Sequence, residues 1–114
     1  MSDVVFHRLD RDRVVSRLQA YAEAELAQRP EVREVILIGS LARGDWSARS
    51  DADIVVIVDH APDSGPFRGG AYAPMASVGV PVDVLVYTLG ETANWSERFR
   101  REVARGVVLY RRRQ

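Results

Sequence analysis

Three short runs of aliphatic and β-branched residues constrain this chain more than anything else in it: REVILI at 33–38, ADIVVIV at 52–58 and VPVDVLVY at 80–87. Each has the length of a strand, and Gly, Pro, Ser or Asp punctuates its ends. The runs are apolar nearly throughout instead of alternating, so the sheet they build must be covered on both faces. Helical spacing supplies the cover. Val14, Leu18, Tyr21, Ala22 and Leu26 predict a helix over 11–29, capped by Asp10 or Asp12 and stopped by Pro30. Trp95, Phe99 and Val103 predict a second helix over 94–105, with Asn94 and Glu97 at capping-box spacing and Gly106 closing it. VVLY at 107–110 fits a short fourth strand. Only a short link joins the first two strands, which favours antiparallel neighbours. The expected fold is α+β: a small mixed sheet covered by helices.

A chain of 114 residues is expected to form a single domain, 1–114, with a core of its own. No run approaches the length of a membrane span, and MSDVVFHRLD has no signal-peptide hydrophobic region, so a cytoplasmic location is expected. Cys is absent, which excludes disulfides, thiolate catalysis and Cys-ligated metal. Formal net charge is zero, which argues against a general nucleic-acid coat. All 16 basic residues are Arg, so a Schiff-base or P-loop lysine is excluded. Any phosphate must be held by Arg or by backbone N–H groups. The Gly/Pro-rich stretch 59–79 reads as a long loop, with one possible turn around Ala73–Val78.

Three carboxylates stand where core strands should have none. Asp51 and Asp53 open the second strand, and residues two apart point to one face. Asp83 interrupts the third apolar run and can reach the same place if the two strands are neighbours. Clustered anions repel and raise one another's pKa unless a cation joins them. Oxygen donors without a nearby His select Mg²⁺ or Mn²⁺ over zinc. The competing explanation is a turn-and-strand-start pair, with Asp83 paired to an Arg. A second element lies just after the first strand. Gly39 lets a backbone approach a ligand, Ser40 offers a hydroxyl and an N–H, and Arg43 and Gly44 follow. Alone it would be an ordinary strand-to-helix turn.

Together, Gly39-Ser40, ten intervening residues and Asp51-x-Asp53 form the segment GSLARGDWSARSDAD. It resembles the nucleotidyltransferase signature of the DNA polymerase β superfamily. Arg43, Gly44 and Ser50 make it similar to the minimal nucleotidyltransferase (MNT) branch. Asp83 sits in the strand where that family places its third carboxylate, and the resemblance runs from about Leu9 to Tyr110. It implies the polymerase β-like nucleotidyltransferase fold. It implies two Mg²⁺ ions (Mn²⁺ possible) held by Asp51, Asp53 and Asp83, with ATP as substrate. Gly39, Ser40, Arg43 and Ser50 would be the nucleotide-binding set. The chain departs from the family in one respect: the usual helix between the second and third strands is replaced by the 59–79 loop.

MNT proteins are commonly antitoxins paired with a HEPN-domain ribonuclease toxin. The resemblance therefore implies a protein adenylyltransferase that moves AMP onto a Tyr of the toxin (AMPylation). Two alternatives remain at this point: a non-catalytic antitoxin acting by binding, and a small-molecule transferase of the aminoglycoside-modifying type. The latter needs a further domain for its acceptor, and here a partner would have to supply it. His7 and His60 are expected at the surface, and Trp46 in ordinary packing. Arg49 is open between phosphate contact and solvation. The Arg111–Arg113 run is expected to be a solvated end.

Overall fold

The computed structural model describes residues 10–47, 49–61 and 68–113; His7 lies outside them. Helix α1 spans Arg11–Tyr21 and continues as a π turn over Ala22–Leu26. Asp10 caps it by accepting from the Arg13 N–H at 3.1 Å. Strand β1 is Val32–Ile38, followed by a single helical turn, α2, at Ser40–Arg43. Strands β2 (Ala52–Val58) and β3 (Val82–Thr88) are linked by a segment that holds a 3₁₀ turn at Arg68–Tyr72. A further 3₁₀ turn, Gly90–Asn94, leads to α3 (Glu97–Ala104) and β4 (Val107–Arg111).

The sheet order is β3-β2-β1-β4. β1 lies antiparallel to both β2 and β4, while β2 and β3 are parallel, so the sheet is mixed as expected. Alternation along the strands divides the core in two. Val35, Leu37, Ala52, Ile54, Val56 and Leu109 pack with Val14, Leu18, Tyr21 and Leu26 of α1 and its π turn. Burying a side chain such as Leu18, which is fully enclosed, contributes about 1.5–3 kcal/mol. Ile36, Ile38, Val55 and Ile57 face the other way and meet Tyr87, Trp95, Phe99 and Val103. The three rings of Tyr87, Trp95 and Phe99 contact one another with centroids 5.0–5.6 Å apart. Phe99 and Val103 of α3, with Trp95 just ahead of it, are the apolar stripe that the spacing predicts.

The second helix starts later than its sequence suggests. Asn94 ends the 3₁₀ turn, and Ser96 is the cap, accepting from the Phe99 N–H at 3.1 Å. A Ser at the N-cap competes well with any upstream Asn once Trp95 must turn into the core. Gly106 follows α3 without a left-handed φ. Its role is space, since a Cβ there would lie 2.5 Å from Ile36 Cγ2 and 2.6 Å from Leu37 O. Tyr72 ties the 3₁₀ turn to α1 and to the residues that follow its π turn. Tyr21 donates to Tyr72 O, Tyr72 donates to Glu31 at 2.7 Å, and the Arg29 guanidinium lies 4.6 Å from the Tyr72 ring centroid. No turn of helix forms at Ala73–Val78.

The expected solvated Arg end is instead partly bonded. Arg111 pairs with Glu34 at 3.1 Å within the sheet edge. Arg112 and Arg33 both donate to Asp59, at 2.9 and 2.8 Å, tying together the ends of β1, β2 and β4. These hydrogen bonds, that of Arg112 foremost, hold the Asp59 carboxyl down at about 2. Because the folded pKa is depressed, this contribution to stability is present above the unfolded value of 3.8 and is lost as pH falls toward about 2. Urea midpoints of the parent and Asp59→Asn should therefore differ at pH 6 and converge as the pH is lowered through that window. A difference that persists unchanged at the acid end would assign the effect to packing instead.

Candidate active site

Two of the three predicted carboxylates, Asp53 and Asp83, belong to the side of the sheet that α3 covers. Ala52, Ile54, Val56 and Val58 point toward α1, so Asp53 shares the opposite face with Val55 and Ile57. Asp51 immediately precedes the strand, near enough for its charge to act on Asp53. The parallel register sets Asp53 directly beside Asp83, and the antiparallel register sets it opposite Ile38. The end of β1, the start of β2 and the start of β3 thus converge at one corner.

Gly39 makes that corner possible. Its φ of +83° and ψ of −160° belong to a region open essentially to glycine alone. A Cβ there would lie 2.7 Å from Asp53 Oδ2. The carboxylate therefore occupies the space a side chain would need, and the backbone can turn directly against it. Ser40 and Leu41 lead the turn α2, ahead of the Ala42 N–H, which bonds to Gly39 O at 3.1 Å. Gly44, at φ +93°, closes the turn in the left-handed region. Ser50 fixes the hydroxyl: Ser40 Oγ lies 3.0 Å from Ser50 Oγ, which also accepts from the Ser47 N–H at 2.8 Å.

Burial pushes the Asp53 carboxyl above its ordinary range, and the charges of Asp83, Asp51 and Glu102 push in the same direction. Arg43 opposes them. Among the described residues, no group of three or more His, Asp or Glu stands close enough to hold a metal as placed. The donor chemistry nevertheless fits a hard divalent cation: oxygen donors only, with a partly desolvated Asp53 beside two further carboxylates.

Two residues of this corner give no sequence signal. Glu102 of α3 receives Arg43 at 2.8 Å, and Arg43 also reaches Asp45 at 3.4 Å. Arg11 of α1 donates its Nε to Leu41 O at 2.7 Å, anchoring the Gly-Ser turn from the other layer. Both contacts join residues far apart in the chain, where periodicity carries no information. Trp46 packs against the α1-side core, as expected for ordinary packing, and His60 and Arg49 are exposed.

Sequence comparison matches residues 20–107 to a nucleotidyltransferase domain. Comparison with curated proteins returned no match. Among solved structures, a candidate nucleotidyltransferase from Sulfolobus solfataricus shares the fold with a TM-score of 0.63 at 23% identity, over 90% of this chain and 84% of the other. A toxin–antitoxin structure with AMP-PNP gives a TM-score of 0.57 at 18% identity, over 93% of this chain and 77% of the other. The family match runs from α1 to the first residue of β4 and includes the whole carboxylate corner: the chain belongs to the nucleotidyltransferase-domain family.

Proposed function

We propose that this chain is a minimal, single-domain protein adenylyltransferase of the cytoplasm, an antitoxin that moves AMP from ATP onto a Tyr of a HEPN ribonuclease toxin. The observation that carries the reading is the corner itself: Asp53 beside Asp83 in register, with its carboxylate seated against Gly39. A binding module has no use for a half-buried carboxylate at the start of the central strand β2 or for a glycine shaped around it. Support for the partner comes from the toxin–antitoxin fold neighbour, whose structure contains AMP-PNP.

In this reading Asp51, Asp53 and Asp83 would hold Mg²⁺ or Mn²⁺. When bound, a divalent cation neutralises the carboxylates and polarises phosphate oxygens. Ser40, positioned by Ser50, and the N–H groups after Gly39 hold the β- and γ-phosphates. Arg43 adds charge once it leaves Glu102. The acceptor oxygen attacks the α-phosphorus and forms the new P–O bond. The bond to the β-phosphate breaks, pyrophosphate departs, and the hydroxyl proton passes to the Asp83 carboxylate. In this reading the acceptor hydroxyl is carried in by the partner protein.

Co-expression with a HEPN toxin, followed by intact-mass measurement, should show the toxin heavier by one or more AMP units. If the toxin is silenced without any mass gain, the chain acts by binding. If the mass appears on a free small molecule, the aminoglycoside-type transferase takes its place.

A further inference from the structure

A cleft of about 190 Å³ lies between α2 and α3, lined by Ala42, Arg43, Arg98, Arg101, Glu102 and Arg105. Four guanidinium groups face one carboxylate. Arg98, Arg101 and Arg105 recur at three- and four-residue spacing and so form one stripe of α3. Among the described residues, none of these three has a carboxylate within ion-pair distance. Like charges at this spacing repel, and the one carboxylate lining the cleft, Glu102, is committed to Arg43 at 2.8 Å. The cleft adjoins the carboxylate corner, because Arg43 and Glu102 both act on Asp53. No aromatic side chain lines it, which removes the stacking surface that single-stranded nucleic acid uses.

We propose that this cleft is a polyphosphate site, in which Arg98, Arg101 and Arg105 receive the terminal phosphates of the nucleotide and then the departing pyrophosphate. Glu102 is the internal stand-in: it occupies Arg43 while the cleft is empty, and phosphate oxygens replace it. These arginines lie outside the GSLARG turn and come from a different layer of the fold. The proposal depends on the transferase reading only for the source of the polyphosphate; the cleft's preference for such an anion stands on its own residues.

The test is equilibrium binding of inorganic pyrophosphate to the full chain without metal, by calorimetry, alongside AMP and a short single-stranded oligonucleotide. R98Q/R101Q should weaken pyrophosphate binding about tenfold or more without lowering the melting temperature, since both side chains are exposed and their mutual repulsion is removed. AMP, which lacks the terminal phosphates, should bind the two proteins alike. E102Q should tighten pyrophosphate binding severalfold, the sign opposite to that expected of a residue that merely supports the helix. Unchanged pyrophosphate affinity in R98Q/R101Q would overturn the assignment, and so would an oligonucleotide that binds these arginines more tightly than pyrophosphate. If AMP transfer to every partner fails yet pyrophosphate binding still follows Arg98 and Arg101, the transferase reading falls and the cleft remains. If transfer succeeds and R98Q/R101Q binds pyrophosphate like the parent, the reverse holds.

Discussion

Asp53→Asn should lower AMP transfer by on the order of a thousandfold or more, while the protein becomes more stable. The loss follows from removing the carboxylate at the centre of the corner, which would hold cations worth several kcal/mol to the transition state. The gain follows from its environment. Burial, Asp83, Asp51 and Glu102 all disfavour the ionised Asp53, and only Arg43 opposes them. The sign can be followed with pH. A folded pKa raised above the unfolded value means that the penalty is present at neutral pH and relieved as pH falls through the raised value. The stability advantage of Asp53→Asn should therefore be largest near pH 7 and shrink on acidification. Melting temperatures across that range, paired with transfer of labelled AMP, check both halves. Retained transfer would remove Asp53 from the catalytic set. A loss of stability at neutral pH would make it a structural residue.

The cost of setting a carboxylate in an apolar strand explains why the candidate site was legible in the sequence. Asp53 and Asp83 both break the apolar pattern of their strands, so local reasoning detects them as exceptions; in the fold only Asp53 is half-buried, while Asp83 is exposed on the edge strand β3. Gly39 is legible for the same reason, as a glycine where a strand ends and a turn must begin. The strands themselves follow from composition, and β1 and β2 lie antiparallel because the link between them is short. What escaped the sequence is tertiary. Glu102 and Arg43 are 59 residues apart in the chain, and on a one-helix view Glu102 is only another charge on a polar face. Arg112 was indistinguishable from a solvated tail residue until the sheet brought Asp59 beside it. The later start of α3 is a competition between Asn94 and Ser96, two residues apart, decided by where the intervening Trp95 must point. Pattern can locate a helix, but its first residue depends on a core that the pattern does not contain.

Gly39→Ala should be the more damaging of two glycine substitutions in the same turn, and the comparison isolates what the corner requires. At Gly44, φ is +93° and a Cβ would meet nothing within 4 Å. Alanine there costs only the left-handed conformation, about 1–2 kcal/mol. At Gly39 the backbone is in a region that side chains avoid more strongly, and the new methyl group would lie 2.7 Å from Asp53 Oδ2. The expected loss is roughly 2–4 kcal/mol, read from urea denaturation. Transfer should fall by about a hundredfold or more even where the variant is fully folded, because the carboxylate must move by a distance that catalysis does not tolerate. The two contributions can be separated. In an Asp53→Ala background the close contact is gone but the backbone strain remains, so the stability cost of Gly39→Ala should drop toward that of Gly44→Ala. If the cost is the same with and without the Asp53 carboxylate, the residues are not in the contact described. The glycine would then serve the turn alone, and the corner would lose the feature that most distinguishes it from an ordinary strand end.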